Sequence, residues 1–360
     1  MTLARLRSGK LASTFPESAP RPSRLPELDL FKTMLVVGMV ATHVIQLVSS
    51  SLPGWTDRFA DFINLVTFSG FLLAMGIGLG LSRGRARPLW SRLRPVLLLL
   101  LAAYVSSFAF ALLVDRLPLT TTLVLDVLTM RRLFGWSEFL ATFFVLYALV
   151  AVARPLLLAI ATNPWLLALA TVLCFGSTWL VMDQGWPLTA TLIGTTNFAS
   201  FPLLPYLPWF LVGIALGRAG GRLTIWHWLG AVAASGWLVW SLWQTGQLPG
   251  RFPPTILWII GPALALLVYL MIAKAITSRL TVQGWLTVPG RHVLSFLLVS
   301  NLMLFTLRNL LGRPVLNVWT WLAATVAVLA LISTCWLLWE RTQARTRVPA
   351  MPTRPRDANT

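Results

Sequence analysis

The chain has 360 residues, 57% of them hydrophobic and only 11% charged, with a formal net charge of +18. A water-soluble domain carries roughly 25% charged residues, so a surface this poor in charge excludes a soluble globular protein and must face lipid. The positive excess would suit nucleic acid, but the basic residues sit in short loops between apolar runs, where they set membrane orientation instead.

Residues 1–28 form a basic, proline-containing cytoplasmic tail with no cleavable signal, and 341–360 form a second basic tail. Between them, 29–340 reads as one membrane domain. Its apolar runs approach the roughly 20 residues that cross about 30 Å of hydrocarbon as a helix. Helix is the expected form, because backbone polar groups in lipid must pair within their own segment. The runs predict an all-α polytopic protein of about ten transmembrane helices, near 30–50, 59–81, 95–114, 137–153, 164–182, 205–217, 225–244, 254–273, 291–307 and 317–339. The sixth is short and opens on Pro205 and Pro208, so a broken or tilted start is expected there. Cys174 and Cys335 each fall inside an apolar run, which argues against a disulfide framework or a metal site.

Orientation follows from the basic residues. With the N-terminus cytoplasmic and ten alternating spans, the outer loops hold only Arg58, Arg116, Arg131, Arg132, Arg251, Arg308 and Arg313. The other 22 of the 29 basic residues are then cytoplasmic, which predicts both termini inside.

Ionisable residues inside spans are functional candidates. His43 lies about 20 Å along the first span, in its outer half. A buried histidine suits a general base near neutral pH; the competing reading is an interhelical hydrogen bond. The loop SRGRARPLWSRLRP packs Arg83, Arg85, Arg87, Arg92 and Arg94 at the cytoplasmic surface. Their planar forks suit phosphate oxygens, although such clusters also anchor topology and attract anionic lipids. Glu138 opens the fourth span on the outer side, and Asp57 and Asp61 precede or open the second span on that same side. These could bind a sugar hydroxyl, orient the histidine, or sit at the water interface. His227 and His292 read as interfacial residues, and most of the 18 tryptophans as aromatic belts.

The stretch LDLFKTMLVVGMVATHV, with Leu28, Asp29, Lys32 and His43 at its marked positions, resembles the opening of membrane-bound acyltransferase family 3. NLVTFSGFLLAMG, centred on Ser69, Gly70 and Phe71, is similar to that family's second helix, and SRLRP to the start of its third. FPLLPYLPWFLVGIALGR and RFPPTILWIIGPALALL resemble segments of the related heparan glucosaminide N-acetyltransferase group. EFLATFFVLYALVAVARPLLL with NPWLLALA resembles the periplasmic-glucan succinyltransferase branch. The likeness runs over residues 24–340 or so. Two positions depart from the family pattern. Lys32 stands where arginine is usual, and LSFLLVSN offers Ser300 and Asn301 in place of a Tyr-Leu-Leu-His type segment.

The resemblance implies a multi-pass inner-membrane enzyme. It would transfer an acyl group, usually acetyl, from cytoplasmic acyl-CoA to a carbohydrate hydroxyl outside the membrane. His43 would be the base or acyl acceptor, and Lys32, Arg92 and Arg94 the contacts for the co-substrate's phosphates. The partners implied are the bilayer, a glycan acceptor and membrane proteins of glycan biosynthesis, with no metal and no nucleic acid. A flippase for a lipid-linked sugar and a non-catalytic membrane component of a glycan-assembly complex are the rival readings. The first would be expected to show inverted repeats, and none is visible.

Overall fold

The computed structural model describes residues 25–50, 52–82, 88–180, 188–279, 284–314 and 316–346. Both tails up to those limits, and Arg83, Arg85 and Arg87, lie outside the described residues. Among the described residues the chain is built of helices, with no strand. Seven helices are long and apolar enough to cross a membrane, so the chain is a multi-pass membrane protein.

Helix α1 (Pro26–Val48) starts with Pro at its first position and Glu27 and Asp29 in its first turn, where a fixed φ and negative charge both favour a helix start. It is the central helix. Phe31, Val36, Val40 and Val44 are fully buried, and α1 packs on five other helices: α2 (Gly54–Leu81), α11 (Ala263–Arg279), α12 (Val288–Arg291), α13 (Val293–Leu311) and α14 (Val318–Thr346). Helix α3 (Leu89–Leu113) packs on α5 (Ser137–Thr162) and on α13.

Helix α2 also approaches α8 (Leu203–Arg218) closely, backbone against backbone. Gly76 and Gly80 face Gly213 and Gly217, and a Cβ on Gly76 would lie 2.1 Å from the Phe210 carbonyl oxygen. In lipid, where apolar side chains gain nothing by leaving the solvent, small residues at four-residue spacing let two helices gain dispersion contact directly.

All ten predicted spans fall on helices, with informative differences at their ends. The fourth continues past residue 153 to Thr162. It is kinked at Ala153 (φ −107°, ψ 18°), as Pro155 requires, since its ring removes a backbone donor and crowds the preceding turn. The sixth is an unbroken helix of 16 residues in spite of Pro205 and Pro208. The seventh is α9 (Ile225–Thr245), which is outside the seven long apolar helices, as are α6 (Pro164–Gly176) and α8. The eighth is interrupted between α10 (Ile256–Ile260) and α11. Ser235 of α9 repairs the break: its hydroxyl donates to the Gly261 carbonyl at 2.7 Å and accepts from the Leu264 amide at 3.0 Å. Two short helices, α4 (Thr121–Leu128) and α7 (Thr189–Leu192), occur where loops were expected.

Candidate functional site

His43 is 6% exposed and sits on α1 about 25 Å from the helix start. Its Nδ1 is 2.9 Å from Oδ1 of Asn301 on α13. An amide oxygen can only accept, so Nδ1 carries the proton and Nε2 is left with a free lone pair. One face of the imidazole is covered by Trp136, whose ring is parallel within 3° at a centroid distance of 3.6 Å. Trp136 is in turn stacked on Phe305, one helical turn beyond Asn301. The hydrogen bond therefore sets the tautomer and the stack sets the ring plane.

Gly135 places Trp136. It adopts φ +57°, and a Cβ there would meet the Phe110 ring at 2.2 Å. Only glycine satisfies both the left-handed backbone and the close approach. The turn it makes sets Trp136, the residue before α5, against His43 of α1.

Two cavities meet near this histidine. A small one of about 30 Å³ is lined by His43, Thr42, Asn64, Trp136 and Arg251 among others. A large one of about 670 Å³ opens toward the end of the bundle where α1 starts. Phe139 and Leu297 line both, so one layer of side chains separates them. The large cavity has apolar walls and a rim of cations: Lys32, Arg92, Arg154 and Arg291, with His292 beside them. Its size falls in the range of small-molecule sites, roughly 300–1,000 Å³.

The rim is held by its own contacts. Lys32 pairs with Asp29 at 2.7 Å. Arg154, at the α5 kink, donates to the Ser82 carbonyl at 2.9 Å. Arg291 and His292 both reach the same oxygen of Glu340, each at 2.9 Å, from α14, and His292 stacks on Trp336 at 3.7 Å. Of the three basic residues expected around a phosphate, Lys32 and Arg92 line this cavity. Arg94 does not line it and is exposed.

On the far side of His43, Glu138 is 3% exposed, and its buried Oε2 has no hydrogen-bond partner in the protein. The same holds for Thr42 Oγ1, Asn301 Nδ2 and Arg251 Nε. Such groups cost free energy when buried and cluster at sites where other molecules supply the partner. The Arg251 guanidinium rests over the Phe252 ring at 4.6 Å and the Phe201 ring at 5.4 Å. Burial lowers its pKa from the ordinary value, against the raising influence of neighbouring Glu138, and arginine stays protonated regardless. Among the described residues no group of three or more His, Cys, Asp or Glu could hold a metal.

The arrangement offers a base with a defined lone pair, behind a thin apolar partition from a basic, roomy cavity. Of the residues singled out in the sequence, His43 lines the small cavity and Lys32 and Arg92 the large one, while Glu138 is buried without lining either. Asn301 was visible only as a departure from a family pattern, and no carboxylate takes its place as the orienting group. Arg154, Arg291, Trp136 and Arg251 were missed as site residues. Arg154 had one available signal, an arginine directly before a helix-kinking proline. His292, read as interfacial, lines the cavity, whereas His227 is half-buried and caps α9 through Thr224.

The family model described as "Acyltransferase domain" matches residues 25–340. The chain belongs to that acyltransferase family. No curated protein and no solved structure matches it.

Proposed function

Taking membership of this acyltransferase family as the premise, we propose that the chain moves an acyl group from cytoplasmic acyl-CoA to a carbohydrate hydroxyl on the opposite side of the inner membrane. The observation that carries the reading is the free Nε2 of His43, one side-chain layer away from a cavity rimmed by four cations. A nucleotide with several phosphates fits such a rim, because charge-assisted hydrogen bonds to phosphate are about twice as strong as neutral ones. Lys32, Arg92, Arg154 and Arg291 are the assigned contacts. The apolar walls suit the pantetheine arm and acyl chain, which would pass between Phe139 and Leu297.

In the reaction, Nε2 of His43 removes the proton of the acceptor hydroxyl as its oxygen attacks the thioester carbonyl. The tetrahedral intermediate collapses with loss of the thiolate, which takes the proton back from the imidazolium. The products are an ester and free CoA, with atoms and charge conserved. Asn301 keeps Nδ1 protonated throughout, so the ring accepts at one nitrogen only. Its Oδ1 also stabilises the imidazolium, as a carbonyl dipole facing Nδ1–H must.

General-base assistance contributes on the order of 10² to 10⁴ in rate. His43→Ala and His43→Gln should both insert normally and lose nearly all acyl transfer, read by mass spectrometry of the cell-surface glycan and by thiol release from acyl-CoA. Substantial activity in the glutamine variant would move the acid–base role elsewhere. A flippase would instead keep thiol release at background in every variant, wild type included.

A further inference from the structure

We propose that Arg251 is a catalytic residue of this reaction, the cation that stabilises the oxyanion formed when the acceptor attacks the thioester. This role rests on the acyl-transfer reading above and adds to it the one component that His43 cannot supply. Attack on the carbonyl carbon turns a neutral C=O into C–O⁻ while the imidazole becomes an imidazolium. Both charges arise together in a small, largely apolar cavity, so the negative one needs a fixed donor there.

Among the described residues, Arg251 is the only lysine or arginine lining the His43 cavity. It lines that cavity together with His43, and its charge acts on His43, Glu138 and Asp61. Among the described residues no carboxylate comes within ion-pair distance of it, because Glu138 and Asp61 influence it only from farther away. A surface arginine needs no further reason. This one has a buried Nε with no hydrogen-bond partner, an aromatic seat formed by Phe201 and Phe252, and a position on the α9–α10 loop that brings it to α1 from a distant part of the chain. The aromatic seat holds the planar fork by its face and leaves its edge free to donate. Arginine cannot act as the acid here, since it keeps its proton. Its contribution is charge and directed N–H groups.

The net charge of the cavity stays constant through the step: an imidazolium and an oxyanion appear, and both disappear when the thiolate leaves and is protonated. Arg251 opposes the first and favours the second. Its effect is net favourable because it hydrogen-bonds the oxyanion directly and acts on the imidazolium only through space.

The test uses the full chain purified in detergent, with acetyl-CoA as donor and water as acceptor, and follows thiol release with a thiol-reactive dye. Hydrolysis passes through the same oxyanion as transfer, so the acceptor need not be known. Arg251→Gln should lower kcat for hydrolysis by about 10² to 10³, the effect of removing one oxyanion donor, with KM for acetyl-CoA nearly unchanged. Arg251→Lys, which keeps the charge, should recover part of that loss. Unfolding temperatures in detergent within a few degrees of wild type would show that both variants are folded. Hydrolysis by Arg251→Gln at the wild-type rate overturns the proposal and assigns Arg251 to acceptor binding instead. A raised KM for acetyl-CoA with kcat intact overturns it in favour of donor binding. If the wild type releases no thiol above a His43→Gln control, the acyl-transfer reading itself fails and this role falls with it.

Discussion

At the scale of single residues, the informative pair is His43 and Asn301. A lone histidine in an apolar helix could be a structural hydrogen-bonding group. The geometry gives it a more specific character, because the amide oxygen at 2.9 Å fixes which nitrogen is basic. Asn301→Leu would remove that acceptor and leave Nδ1–H buried and unpaired, at a cost of about 1–3 kcal/mol. The ring could then adopt the wrong tautomer, and much of the roughly 10² to 10⁴ due to base catalysis should disappear from kcat. Asn301→Asp keeps an acceptor facing Nδ1–H and should retain far more activity than Asn301→Leu. Equal activities in the two variants, measured as thiol release, would show that Asn301 only fills space.

At the scale of elements, the large cavity is an assembly of helix ends. The starts of α1 and α3, the end of α2, the kink of α5 and the short α12 each deliver one part of its rim. The proline kink matters here, since it turns Arg154 back toward Ser82. Glu340 from α14 matters for the same reason, holding Arg291 and His292 with one oxygen. A charged hydrogen bond is worth about 1.5–3 kcal/mol net. Arg92→Ala and Arg154→Ala should therefore each raise KM for acyl-CoA by about 10- to 100-fold, with little change in the affinity for acceptor. Arg94→Ala, at an exposed position outside the cavity, should leave that KM near the wild-type value. A KM raised as much by Arg94→Ala as by Arg92→Ala would show that the basic loop acts as a diffuse field and not as a defined site.

For the whole molecule, the question is which end of the bundle faces which compartment. The cavity rim and the predicted cytoplasmic loops lie at the same end, so the donor site proposed there is consistent with a positive-inside orientation. Reporter fusions after residue 346 and in the stretch between α6 and α8 should report opposite sides of the membrane. The same side for both would mean an even number of crossings between them. That would place one of the two helices α8 and α9 outside the set that spans.

The amino-acid sequence by itself determined the membrane class and singled out one histidine of the first span as the candidate base. These depend on quantities local to the chain: run length, charge content and the position of one histidine within an apolar segment. The lysine and arginine at the α1 and α3 starts were legible for the same reason, as basic residues at span ends. The tertiary structure decided everything that requires two distant segments to meet. Asn301 lies 258 positions from His43, and Arg251, although it opens the RFPPT stretch, is brought to the His43 cavity only by the fold. Arg94 fell away because a helix turns by about 100° per residue, so Arg92 and Arg94 cannot face the same way. Periodicity along one helix says which residues share a face. Which face meets which partner is set by close packing between helices, as at Gly76 and Gly213, and that information is spread over the whole chain.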